Sequence, residues 1–241
     1  MTAASPTILA TCGGLNPGSW TDAVYGPLLH YAIELADVSG RRPRVAHVNT
    51  AGGDQRVVEG QELEAARIAG VDASHLRLFP HRNVSDLDAY FLSQDVIWVS
   101  GGSLINLLAV WRAHGLPEIL HRAWQAGIVL AGGSAGGLVW HSGGTTSSFG
   151  PDIRSVPDGL GFLPGSLAVH YDSDPARRPS YRAAIASGAI PAGFALEEGT
   201  GIRYSATEPV EFITENPERQ IFRVERDSET PIPPRLLPPI H

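Results

Sequence analysis

The chain has 241 residues, enough for one α/β domain, and 43 percent apolar against 18 percent charged residues describes a core-forming globular protein. A net charge of −7 leaves no basic stripe to neutralise phosphates, which argues against a nucleic-acid partner. The chain has no lysine, which excludes Schiff-base and Ser–Lys chemistry; its lone cysteine, Cys12, excludes an internal disulfide and suits a reducing cytoplasm.

The N-terminus carries no basic region before its short apolar run, so Thr7–Thr11 is expected to enter as a strand rather than serve as a signal peptide. A helix is predicted from about Trp20 to Ala36, on the helical spacing of Tyr25, Leu28, Leu29, Ala32 and Leu35. Val45–Val48 is the next strand, and Gln55–Ala69 a helix by propensity. A third strand is expected at Leu76–Phe79, halted by Pro80, and a short helix at Asp86–Leu92. Val96–Val99 forms a fourth strand, followed by helices over 103–113 and 117–125 and a fifth strand at Ile128–Ala131. Continuous apolar strands alternating with helices describe an α/β domain over 1–241, its mostly parallel sheet covered on both faces. In such sheets, sites gather beyond the carboxyl ends of the strands.

After about residue 142 the rhythm changes to Gly, Ser, Thr, Pro and Asp, with a helix expected over 180–187 and strands near 201–204 and 209–213. The tail from Pro231 to His241 holds five prolines and is expected to be extended. No apolar run approaches the roughly 20 residues of a membrane span. The expectation is a cytoplasmic monomer or homodimer without membrane contact.

The sharpest local signal is Leu130-Ala131-Gly132-Gly133-Ser134-Ala135-Gly136-Gly137-Leu138. A serine between a buried strand and a helix, flanked only by small residues, meets the steric demand of a nucleophile elbow. A helix N-cap serine is the plainer alternative. Phosphate binding fits less well, because neither a Walker spacing with Lys nor a Gly-x-Gly-x-x-Gly pattern with a ribose-binding acid is present. The turn Ser100-Gly101-Gly102-Ser103 follows the preceding strand, where the Gly102 N–H would join that of Ala135 as an oxyanion donor; an ordinary β–α turn looks the same.

A serine nucleophile needs a base. Among nine histidines, His170 stands at the end of the apolar run Leu167-Ala168-Val169. His30 and His114 lie in predicted helices, His47 in a strand, and His141 two turns along the helix after Ser134, too far to meet it. Asp152, Asp158, Asp172, Glu197 and Glu198 are all open as the orienting acid. No His or Cys pair and no carboxylate-rich loop has metal-ligand spacing, so neither metal nor cofactor is expected.

With these motifs assembled, the chain resembles the serine peptidase E family (dipeptidase E, alpha-aspartyl dipeptidase), whose fold is related to class I glutamine amidotransferases, a flavodoxin-like three-layer sandwich. The likeness runs from Thr7 to Glu225. It is carried by Ser100-Gly101-Gly102, the helix ending Trp111-Arg112-Ala113-His114-Gly115, the turn around Ser134, and Asp158-Gly159-Leu160-Gly161-Phe162-Leu163-Pro164-Gly165-Ser166 leading to His170-Tyr171-Asp172. The resemblance implies hydrolysis of short peptides, with Ser134 as nucleophile, His170 as general base and acid, and Glu198 as the acid behind it. It also implies a preference for an N-terminal aspartate, which an arginine would clamp; Arg154, Arg177 and Arg178 lie in loops flanking His170.

Two departures stand out. Relatives usually read Gly-Gly-Asn-Thr where this chain has Gly101-Gly102-Ser103-Leu104, so Ser103 replaces an amide at the substrate contact. Relatives often carry an acid in the loop where this chain has Ser147, which leaves Glu198 or the nearby Asp152 to orient His170. Two other readings stay open: a cyanophycinase-like hydrolase of β-aspartyl peptides, and a catalytically silent, ligand-binding member of the same fold. Cys12 as nucleophile, by analogy with amidotransferases, is disfavoured because it follows the first strand rather than the elbow.

Overall fold

A computed structural model describes residues 5–240. The chain enters through β1 (Thr7–Cys12), makes a short hairpin of β2 (Leu15–Asn16) and β3 (Val24–Tyr25), and then forms α1 (Pro27–Leu35). It continues through β4 (Arg44–Val48), α2 (Arg56–Ala69), β5 (Asp72–Leu76), α3 (Leu87–Leu92), β6 (Val96–Val99), α4 (Leu104–Ala113), α5 (Leu116–Gln125) and β7 (Val129–Gly133). A single turn of helix, α6 (Ala135–Leu138), leads into β8 (His141–Thr146), β9 (Arg154–Val156), β10 (Leu163–Ala168), α7 (Arg177–Ala186) and β11 (Gly193–Leu196). The remaining strands are β12 (Thr200–Ser205), β13 (Glu208–Thr214), β14 (Ile221–Val224), β15 (Glu229–Ile232) and β16 (Arg235–Leu236).

Eight strands make the larger sheet in the order β16-β13-β12-β1-β7-β6-β4-β5. The run from β1 to β5 is parallel throughout, and β12 joins β1 antiparallel. The central position of β6 follows from its composition: Val-Ile-Trp-Val is buried at every residue and has no face for water. One face of this sheet packs on α1 and α2 through Leu9, Leu28, Leu29, Val45, Ala65, Trp98 and Val129. The other packs on α3 to α6 and on the second sheet, through Ile8, Val48, Ile97, Trp111, Leu130 and Leu167. Trp111 is fully buried there, and its truncation to alanine is expected to cost about 3–5 kcal/mol.

The Gly- and Ser-rich stretch after residue 142 builds a second, six-stranded sheet, β15-β14-β11-β10-β8-β9, covered on its far side by α7. The chain returns from this sheet to the larger one between β11 and β12, and Glu197-Glu198-Gly199 is that crossing. The tail contributes β15 and β16 to the two sheets.

Several boundaries differ from the sequence-based expectation. The helix α7, expected over 180–187, spans Arg177–Ala186, so Arg177 and Arg178 stand in its first turn and Arg154 on β9 rather than in loops. The first helix begins at Pro27 rather than Trp20, because proline, without an N–H, is suited to a helix's first turn; the residues before it form the hairpin. The third strand is Asp72–Leu76, paired residue for residue with Arg44–Val48. The expected segment has left the sheet by Leu78, whose N–H, with that of Phe79, donates to the Asp54 carboxylate. His114 caps α4 rather than lying within it. Finally, α6 stops at Leu138, and His141 opens β8 instead of riding the nucleophile helix; two of its four residues are glycine, which favours an early end.

Candidate active site

The carboxyl ends of β1, β6, β7, β10 and β11 converge on the site. Ser134 follows β7 with φ 57° and ψ −119°, a conformation that costs a non-glycine residue on the order of 1–3 kcal/mol. The turn is held from outside: the Ser134 N–H donates to Thr11 O at 2.9 Å, and Ser134 O accepts from Gly137 and Leu138. A side chain at Gly136 is impossible without rearrangement, since a Cβ there would lie 2.0 Å from Val99 O. The small residues flanking the serine are therefore required by contact with β1 and β6.

The Ser134 Oγ lies 2.7 Å from His170 Nε2. His170 follows β10 with φ 57°, and its Nδ1 is hydrogen-bonded to Glu198 Oε1 at the crossing between the sheets. With the imidazole proton on Nδ1, facing the carboxylate, Nε2 is left to accept from the serine. The hydrogen bond from His170 holds the Glu198 carboxyl below the ordinary carboxylate range, outweighing partial burial. Glu198 is itself held in place: its N–H donates to Asp172 Oδ1 at 3.0 Å, and Asp172 is ion-paired with Arg219.

Cys12, fully buried at the end of β1, sits beneath this pair. Its Sγ accepts from the His170 N–H at 3.1 Å and lies 3.5 Å from both His170 Nδ1 and Glu198 Oε2. Burial, and then the charge on Glu198, push the thiol well above its ordinary pKa, so it stays protonated and faces the acid side of the imidazole. The donor atoms of Cys12, His170 and Glu198 lie within 4.8 Å of one another, the one such cluster among the described residues. These donors are already bonded to each other, and a protonated thiol is a poor ligand.

In front of the serine is a cavity of about 180 Å³ lined by Gly13, Leu15, Trp98, Ser100, Gly101, Gly133, Ser134, His170 and Glu198. Gly101 approaches closest from the facing turn; a Cβ on it would stand 3.1 Å from Ser134 Cβ. The backbone N–H groups of Gly101, Gly102 and Ala135 find no acceptor among the described residues.

The structure thus brings Ser134, His170 and Glu198 together and sets the Gly102 turn beside them. The other expected residues lie elsewhere. Asp152, the alternative acid, is exposed and makes no hydrogen bond or ion pair among the described residues, so His170 takes its carboxylate from across the sheets instead. Asp158 is bound by Arg112, and Glu197 accepts from the Gln220 N–H. Ser103 caps α4, its Oγ accepting from Asn106 N, and does not line the cavity. Arg154, exposed on β9, lies over the exposed Phe149 ring, and Arg178 is ion-paired with Glu229 and stacked on Tyr171 and Phe222; neither lines the cavity. Arg177, in the first turn of α7, does not line the cavity either; it donates to Val169 O, next to His170, at 3.3 Å and to Ser147 Oγ at 3.4 Å. Leu15 and Trp98 are absent from the sequence reading of the site, although Leu15 follows the Gly13-Gly14 turn that ends β1. Cys12 enters that reading only as a disfavoured nucleophile and Asp172 only as a candidate acid, whereas here Cys12 lies beneath the His170–Glu198 pair and Asp172 accepts from the Glu198 N–H.

Comparisons with known proteins place the chain in a family and support its fold. Residues 24–210 match the model of peptidase family S51. The uncharacterized peptidase YgaJ of Bacillus subtilis (strain 168) is 34% identical over 200 residues, 81% of this chain and 86% of that protein. Among solved structures, a peptidase from an acI-B1 Actinobacterium superposes with a TM-score of 0.70 at 15% identity, covering 100% of this chain and 99% of that one. A protein assigned to peptidase E from Listeria monocytogenes EGD-e gives 0.59 at 17% identity, over 86% and 98% of the two chains. A strained serine on a strand-to-helix turn, a histidine against it, and a family match over most of the sequence lead to one conclusion: the chain belongs to peptidase family S51, the serine peptidase E family, and is a serine-type peptidase.

Proposed function

We propose that the protein hydrolyses short peptides through a Ser134–His170–Glu198 triad. Ser134 attacks the scissile carbonyl, His170 accepts its proton at Nε2 and returns it to the leaving amine, and Glu198 stabilises the imidazolium. The N–H groups of Ala135 and of the Gly101–Gly102 turn, free of other acceptors among the described residues, hold the oxyanion. The observation that carries this reading is the unbroken chain from Ser134 Oγ to His170 to Glu198. A cavity of about 180 Å³ suits one side chain and supports small substrates over folded ones.

The preference for an N-terminal aspartate rests on Arg177. Among the described residues it forms no ion pair, and its Nε is buried without a partner. The residue it faces in the 147 loop is Ser147, where relatives often carry an acid, so its charge is left for a substrate carboxylate. Ser134→Ala tests the triad. The variant is expected to lose dipeptide hydrolysis and labelling by a fluorophosphonate; hydrolysis at the parental rate would end the mechanism, and an unlabelled wild-type protein would favour a silent, ligand-binding role.

A further inference from the structure

Between the larger sheet and α2 lies a buried polar group that the triad does not use. Glu62, on α2, is fully buried. Two histidines that pair in register on adjacent strands, His47 on β4 and His75 on β5, face its carboxylate: His75 Nε2 is 2.9 Å from Oε2 and His47 Nδ1 is 3.8 Å from it. The Tyr25 hydroxyl closes the far end at 2.5 Å from His47 Nε2. At the near end the Ser100 hydroxyl donates to Glu62 Oε1 at 2.5 Å, and Ser100 lines the catalytic cavity.

A buried carboxylate carries a desolvation penalty, and an apolar side chain would pack α2 on the sheet at lower cost. Burial alone would raise the Glu62 carboxyl; contacts with His75, His47 and Ser100 outweigh it and keep the group ionised. The Ser100–Ser103 turn is pinned at three points. The Ser100 N–H donates to Val48 O at 3.0 Å, the Ser103 N–H to Ala51 O at 2.9 Å, and the Ser100 side chain to Glu62. Between the pins stand Gly101 and Gly102, whose N–H groups have no other acceptor among the described residues. The backbone bonds fix the ends of the turn, and the carboxylate fixes the rotamer of the one side chain that meets the cavity.

We propose that Glu62 is a positioning residue for the peptidase reaction: by holding the Ser100 hydroxyl it sets the Ser100–Gly102 turn against Ser134 and presents the Ser100 lone pairs, rather than its proton, to the cavity. This inference rests on the hydrolytic reading of Ser134.

The test compares wild type with Glu62→Gln, Ser100→Ala and the double variant, by kcat and KM on Ala-Leu, by the rate of fluorophosphonate labelling of Ser134, and by amide hydrogen exchange at residues 100–103. Loss of one oxyanion donor costs about 10²–10³ in kcat, so a displaced turn is expected to cost about 10- to 100-fold, with KM nearly unchanged. The double variant is expected to be no slower than the slower single variant, because both changes act on one contact, which glutamine weakens by removing the charge and alanine removes outright. Exchange at Gly101 and Gly102 is expected to quicken in all three. A Glu62→Gln protein with a lower unfolding midpoint but wild-type labelling and exchange would overturn the proposal and leave Glu62 a structural group. If Glu62→Gln fails to fold, Ser100→Ala carries the same readouts with Glu62 in place, and wild-type values there would overturn it equally. If exchange responds but the wild-type protein neither hydrolyses nor labels, the positioning of the turn stands and the hydrolytic reading fails.

Discussion

Replacing Glu198 with glutamine removes one charge while keeping the side chain's size and its capacity to hydrogen-bond. In the native site the carboxylate accepts from His170 Nδ1, which places the imidazole proton away from Ser134. As the serine gives up its proton, His170 becomes an imidazolium next to that carboxylate. Two unit charges about 4 Å apart attract by about 4 kcal/mol at an effective dielectric constant of roughly 20. The Glu198 side chain is 42% exposed, so solvent screens part of this and about 2 kcal/mol is a fair share, equivalent to roughly 30-fold in rate. A glutamine amide can also turn its NH₂ toward Nδ1, which forces the proton onto Nε2 and removes the base; loss of the correct tautomer is the larger penalty in the serine protease template, about 10⁴. We expect kcat for Glu198→Gln to fall by about 10²–10⁴, with KM changed little, in a continuous assay of dipeptide cleavage. A variant within threefold of wild type would refute the assignment of Glu198 as the orienting acid.

Three further outcomes follow from the same geometry. Because Ser134 holds φ 57° and ψ −119°, Ser134→Gly is expected to be more stable than Ser134→Ala by about 1 kcal/mol in urea unfolding, both being inactive; equal stabilities would mean the turn is not strained. Arg177→Ala is expected to raise KM for Asp-Leu about tenfold and leave Ala-Leu unchanged, as a charge paired only with a substrate carboxylate would; equal effects on both would remove the aspartate preference. Burial holds His47 and His141 neutral, each lowered from 6.5 to about 4, so the unfolded chain binds more protons between those values and stability falls as the pH drops through that window. Glu62, held below its ordinary value, acts in the same direction at lower pH. Urea unfolding at pH 4.5 against pH 7 is expected to show a loss on the order of 2–3 kcal/mol per histidine, and an unchanged midpoint would place the acid sensitivity elsewhere.

The five parallel strands and the elbow were legible because both are local. A run such as Val96–Val99 has no hydrophilic face, and the glycines around Ser134 have no sterically tolerable alternative once a strand must turn at once into a helix. His170 was legible too, by its place after an apolar run. The hairpin before Pro27 and the exact span of β5 were not, because α1 begins where proline permits and β5 ends where pairing with β4 ends.

Composition and periodicity by themselves determined an α/β sheet protein with a serine at a tight strand end, since steric and burial rules act within a few residues. Only the tertiary structure decided which carboxylate meets His170. Asp152 is close in the sequence, whereas Glu198 is delivered by the crossing between two sheets and tied there by Asp172 and Arg219. The same holds for Cys12 beneath that pair and Glu62 behind Ser100: contacts between residues dozens or more positions apart depend on strand order and register, which no local pattern encodes.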